Sequence, residues 1–178
     1  MIDRNLKRAL GQMTYGAYVV AATHEGTTRA FTSTWTFQLS FAEPVIGVSI
    51  SPKHDTTPLI DATDRFTVSL LAGDQVEQGQ YFSYPGRRFR HVGDYLTDVE
   101  GHPVVDGCVA WLGCRVLGRV PIRDHVLYVA EVDAYGEGRI KQPALTYSSR
   151  KGWRIADSPA RQPGESIRDK LLAMLEEE

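Results

Sequence analysis

Apolar positions in this chain fall mostly in short alternating or continuous runs bounded by turn residues, a pattern that predicts strands. "YGAYVVAATHEGTTRAFTSTW" (15–35) holds two such runs around "HEG", a hairpin signal because Gly26 accepts a left-handed backbone. "PVIGVSIS" (44–51) and "RFTVSLLA" (65–72) predict two further strands. Two longer ones, "GCVAWLGCRVLGRVPI" and "HVLYVAEVDAYGEG", turn around Arg123-Asp124, and "ALTYSSRKGWRIA" (144–156) adds a last hairpin-like piece. Helical spacing is sparse. Asp3 can cap a short first helix with Leu6, Ala9 and Leu10 on one buried face, "TPLIDATD" reads as a second, and "DQVEQGQYFS", capped by Asp74, as a third. Residues 84–107 read as one long loop. After the linker "SPARQPG", Ile167, Leu171, Leu172 and Leu175 line one side of an amphipathic C-terminal helix. Many strands, few helices and no βα alternation point to a mainly β, antiparallel barrel over residues 1–156, with 157–178 as linker and helix. The glycine pair Gly136 and Gly138 opens no helix, which disfavours a dinucleotide-binding sheet.

Composition narrows the function classes. The 178 residues are 42% apolar and 24% charged, ordinary for a globular domain. A formal charge of −2 gives no cationic excess for nucleic acid or an anionic membrane. Cys108 and Cys114, the only cysteines, are too few for a disulfide framework or a four-cysteine zinc site. They flank "VAWLG" and are expected to be buried free thiols on one strand face. "MIDRNLKRALGQ" has no apolar core of a secretory leader, and no apolar run is long enough to cross a bilayer, so a cytoplasmic protein is expected.

The chemistry concentrates in "AFTSTWTFQLSFAEPVIGVSISPKHDTTP" (30–58). Thr57 before Pro58 predicts a helix start, whose free N–H groups and dipole favour an anion. Ser49, Ser51, Lys53, Thr56 and Thr57 supply hydroxyls and one cation there, as a phosphate would require. An ordinary capped helix in a hydroxyl-rich loop has the same sequence, and Asp55 would repel a phosphate unless it points away. In "FTSTWT" a strand edge could hydrogen-bond the rim of a flat heterocycle, although spacing alone favours Trp35 and Phe37 as core. His125, after Asp124, is either a turn residue or a proton donor at a bound ligand. The five histidines, at 24, 54, 91, 102 and 125, show no metal-ligand spacing, so no metal is expected, and no serine sits in a nucleophile elbow.

Taken in order, "ALGQMTYGAYVVAA", "TSTWTFQLSFAEPVIGVSI", "KHDTTPLI", "RFTVSLL", "VAWLGCRV" and "RDHVLYVAEV" resemble the flavin reductase-like family, over about Leu6 to Trp153. "MTYGAYV" and "TFQ" look most like the branch of flavoredoxins and rubredoxin-linked flavin domains. The resemblance implies an antiparallel Greek-key split β-barrel that binds FMN, with FAD as the alternative, and takes electrons from NAD(P)H or a protein donor. It implies that Thr32, Ser33, Thr34 and Trp35 line the isoalloxazine ring, while Ser51, Lys53, Thr56 and Thr57 hold the phosphate. It places His125 at the nicotinamide approach, as the catalytic candidate, and brings Arg87 and Arg88 of "YPGRRFRHVG" to the phosphate region. Ser69 and Arg123 depart from the family's asparagine and glycine. A homodimer is implied, and a redox-protein partner is a further option. The other class left open is a non-enzymatic split barrel for haem, another flavin or a small aromatic ligand.

Overall fold

A computed structural model describes residues 2–83 and 94–156. Helix α1 (Arg4–Leu10) leads into β1 (Tyr15–Gly16), β2 (Tyr18–His24), β3 (Thr27–Ser33), β4 (Thr36–Ser40) and β5 (Val45–Ile50). Then come α2 (Thr57–Thr63), β6 (Arg65–Leu70), α3 (Val76–Ser83), β7 (Leu96–Val99) and β8 (His102–Val105). The long strands β9 (Ala110–Ile122) and β10 (His125–Glu137) and the hairpin β11 (Leu145–Ser148) and β12 (Gly152–Ile155) complete the described chain. Seven strands form one antiparallel sheet in the order β3-β2-β6-β9-β10-β5-β4. Its two ends, β3 and β4, follow each other in sequence but do not pair, and this leaves the barrel split. A three-stranded sheet, β1-β11-β12, and the β7-β8 hairpin lie outside it.

The continuous run Val19–Ala22 has a physical reason: β2 is buried on both faces. Val20 and Ala22 enter one core with Phe31, Val48, Ile50 and Tyr128, closed by Ile60 of α2. Val19 and Ala21 enter a second, with Leu71, Phe82, Val104 and Trp111, beneath α3 and the β7-β8 hairpin. Alternation therefore sorts the same strand between two cores, each excluding water. A buried side chain such as Ile60 contributes roughly 1.5–3 kcal/mol through apolar area alone.

Several expectations need correction. The presumed loop 84–107 contains the β7-β8 hairpin, whose turn at Glu100-Gly101 has φ of 53° and 83°. The first hairpin turns at Glu25-Gly26 with φ of 48° and 73°, so both use the same Glu-Gly pair in a left-handed turn. β4 was not anticipated as a separate strand. Asp3 does cap α1, accepting from the Asn5 and Leu6 N–H groups, but α1 buries no residue and its leucines stay about half exposed. Both cysteines are buried and free, yet they do not share a face: β9 begins only at Ala110, so Cys108 joins the second core and Cys114 the first. Asp74 is engaged by Arg139 in a bidentate pair at 2.7 and 2.6 Å. The linker and C-terminal helix expected over 157–178 lie outside the described residues.

Candidate functional site

The seam of the split barrel builds a cleft. β3 ends at Ser33, and the chain crosses to β4 through Thr34 and Trp35. Opposite stand Ser49 on β5, His54 in the turn before α2 and His125 at the head of β10. With Phe31 and Thr32 they enclose about 170 Å³. Two aromatic contacts fix the imidazoles. His54 stacks on Phe31, with ring centres 4.2 Å apart and planes 16° from parallel, and His125 packs at 4.9 Å on Trp35. The Ser49 N–H donates to the Trp35 carbonyl at 2.9 Å and ties β5 to the crossing. Trp35 and Phe37 are 45% and 46% exposed, so neither is the core residue that spacing alone suggested.

The hydroxyls at the seam are partly spent on the fold. Thr32 Oγ1 donates to the Gly79 carbonyl at 2.7 Å, and Ser33 Oγ pairs with Thr36 Oγ1 at 3.0 Å. β3 is an edge strand, paired only with β2. Its unpaired backbone groups are hydrogen-bonding capacity that the sheet does not use.

The turn before α2 is differently built. His54 N donates to the Ser51 carbonyl at 3.1 Å, Thr57 N to the His54 carbonyl at 3.0 Å, and Thr57 Oγ1 to the Ser51 carbonyl at 3.2 Å. The Lys53 N–H leans on Ser51 Oγ at 3.4 Å. α2 takes Thr56, not Thr57, as its N-cap, in a helical backbone conformation and without a side-chain capping bond. Thr57 and Pro58 occupy its first turn. The consequence is an orphan: Thr56 is 1% exposed, and its Oγ1 is the one buried side-chain polar atom among the described residues with no hydrogen-bond partner. Such a group costs about 1–3 kcal/mol, so native proteins seldom leave one unsatisfied without a functional reason.

Electrostatics link the turn to the cleft. Burial holds the His54 imidazole below its ordinary pKa; the neighbouring His125 pushes the same way and Asp55 opposes. Asp124 lies below the usual carboxylate range, chiefly through its hydrogen bond with His125 at 3.1 Å, with a smaller contribution from Lys53.

Of the sequence candidates, the cleft gathers Thr32, Ser33, Thr34, Trp35 and His125, while Ser51, Lys53, Thr56 and Thr57 form the adjoining turn. Arg87 and Arg88 lie outside the described residues, as does His91. His54 and Phe31 were not foreseen in the cleft. The clue was the position of His54 between Lys53 and Thr56, inside the turn already suspected. Ser69 is buried and accepts the Val105 N–H at 3.0 Å, serving the β7-β8 hairpin rather than the cleft. Arg123 occupies the β9–β10 turn at φ 52°. His24 sits beside Glu25, and His102 beside Thr67. Among the described residues, no three His, Cys, Asp or Glu side chains gather as metal ligands, and no helix is long and apolar enough to cross a membrane.

Comparison with known proteins agrees with the fold. The flavin reductase like domain model matches residues 10–154. The NADH-dependent flavin reductase StyB of Pseudomonas fluorescens is 31% identical over 143 residues, 75% of this chain and 79% of that protein. A putative diflavin flavoprotein A 1 of Thermosynechococcus vestitus is 28% identical over 149 residues, which are 80% of this chain but only 25% of that protein. The chain thus spans about a quarter of the diflavin relatives and most of the reductase. The styrene monooxygenase flavin reductase of Pseudomonas putida S12 superposes with a TM-score of 0.75 at 26% identity, covering 87% of this chain and 99% of that one. The diflavin flavoprotein and the flavin reductase are matched at similar identity, 28% and 31%.

Proposed function

The chain belongs to the flavin reductase-like family, and from that premise we propose that it is a flavin-dependent oxidoreductase. It uses FMN, with FAD as the alternative, and passes electrons from NAD(P)H or a protein donor to an acceptor. The observation that carries this reading is the unpartnered Thr56 hydroxyl, two residues from the His54 ring that lines the cleft. A hydroxyl with a free donor and a cleft lined by aromatic rings stand two residues apart in sequence, an arrangement that a nucleotide-like molecule would use. The fit is chemical: a buried hydroxyl, an exposed lysine and the Ser51 hydroxyl on one side, aromatic and backbone groups on the other.

When bound, the flavin supplies the redox chemistry. The chain's own residues bind and orient. Ser51, Lys53 and Thr56 hold the phosphate; Thr57 spends its hydroxyl on the Ser51 carbonyl and so shapes the turn that presents them. The edge from Thr32 to Trp35 offers backbone groups to the ring, its Thr32 and Ser33 hydroxyls being engaged elsewhere. His125 holds Nδ1 toward Asp124, which leaves Nε2 to accept or return a proton at the cleft. No protein nucleophile is required. Arg87 and Arg88 remain candidates for the phosphate. A homodimer fits the half-exposed Trp35 and Phe37 beside the seam, and a redox-protein partner fits the matches to longer diflavin proteins.

Purified protein should be yellow or take up added FMN with a rise in melting temperature. Bleaching of the flavin band near roughly 450 nm by NADH or NADPH identifies a reductase. Slow bleaching that a reduced protein donor accelerates identifies a carrier. A colourless protein with no FMN-induced thermal shift refutes both.

A further inference from the structure

The last turn of α2 is gripped by a cross-strand pair that the cleft does not include. Arg119 of β9 and Tyr128 of β10 are register partners on the long ribbon. Arg119 Nε donates to Asp61 Oδ1 at 2.9 Å and Nη2 to Asp64 Oδ1 at 2.6 Å. The Tyr128 hydroxyl donates to the same Asp61 oxygen at 2.9 Å, and the guanidinium lies 5.2 Å from the Tyr128 ring centre. Asp61 belongs to α2, and Asp64 is its left-handed C-cap. One fork thus spans two carboxylates, a geometry that a lysine cannot reproduce.

Position is the more telling feature. Tyr128 is 2% exposed, packed in the first core, so the grip is anchored to the barrel. Three residues earlier on β10 stands His125. α2, held at its far end, opens at the turn that carries Thr56. The Arg119, Asp61 and Asp64 side chains are 34%, 48% and 60% exposed, so their ion pairs are screened and contribute little to global stability. A two-carboxylate fork of small energetic value is better suited to setting orientation.

We infer that the Arg119–Tyr128 pair is a positioning device: it fixes α2, and the Thr56 hydroxyl at its start, relative to His125 and the cleft. Phosphate and ring of one flavin are then held at a matched spacing. This inference rests on the proposed flavin site. Arg119 touches no cofactor, so its role is indirect.

The test compares FMN with riboflavin, which has the same ring and no phosphate, by fluorescence titration of the full-length protein. The wild type should prefer FMN. Arg119→Met should raise the FMN Kd about fivefold while the riboflavin Kd stays constant, so the preference shrinks. In NAD(P)H assays the KM for FMN should rise with kcat unchanged. Arg119→Lys should fail to restore the preference, and Tyr128→Phe should reduce it less. Asp64→Asn keeps the left-handed cap and neutralises one carboxylate of the fork, so it serves as the milder variant if Arg119→Met folds poorly. A preference that both Arg119→Met and Asp64→Asn leave intact would overturn the clamp alone. A wild type with no preference would overturn the phosphate site, and the clamp's role with it.

Discussion

Two cavities in this barrel differ both in volume and in what lines them. A groove of about 570 Å³ is walled mainly by Phe37, Val45, Ile46, Leu112 and Val132, with Asp133 already tied to Arg65 at 3.0 Å. The seam cleft encloses only about 170 Å³, yet two imidazoles and an unused strand edge line it, and the orphan Thr56 follows two residues after its His54. Volume measures room; directed donors measure recognition. The smaller space is the site we propose.

That contrast can be broken in order of expected effect. Combining Lys53→Met with Thr56→Val removes the cation and the hydroxyl together. FMN affinity should fall on the order of 100-fold, the sum of a charged and a neutral contact, as read by fluorescence quenching. His125→Ala should lower NAD(P)H-driven turnover about tenfold or more, as expected for loss of a proton-transfer group, with FMN binding little changed in the same titration. Thr56→Val alone carries an opposite sign on stability. It deletes an unsatisfied buried donor at constant shape, so the cofactor-free protein should gain about 1 kcal/mol in urea unfolding even as FMN binding weakens. A loss of stability would show that Thr56 is bonded within the fold.

The pH profile gives a finer test. His54 sits below its ordinary pKa in the fold, so the unfolded chain binds that proton more readily. Stability should therefore be intact above the ordinary imidazole range and decline as acid passes down through it, and His54→Gln should flatten the profile in melting scans. Cys114 gives the reverse sign: burial pushes its thiol up to about 12, so stability should decline once pH exceeds the ordinary thiol range. The smallest effect belongs to the groove, which Tyr135 also lines: Tyr135→Ala should leave the FMN Kd within about twofold.

Much of the barrel was legible in the sequence because its strands obey local rules. The "HEG" turn and the long β9–β10 ribbon showed both period and punctuation. The second hairpin was equally legible at Glu100-Gly101, but His102-Pro103 beside it broke the strand pattern, and Pro103 is buried only because tertiary packing covers it. Cys108 misled because alternation was extended past the true start of β9. The α1 leucines misled because an amphipathic stripe does not tell whether this chain or another surface covers it. At the site, the hydroxyls and the Thr-Pro start were visible, whereas the stacking of His54 on Phe31 and the orphan state of Thr56 depend on residues distant in sequence. The shift of the N-cap by one residue is the kind of boundary that sequence rarely resolves.

The most direct measurement is a crystal structure of the protein grown with FMN. Density for the ring along Thr32–Trp35 and for the phosphate at Ser51, Lys53 and Thr56 is the expected result. Flavin seated instead in the groove between Phe37 and Leu112, with Thr56 still unpartnered, would contradict the assignment.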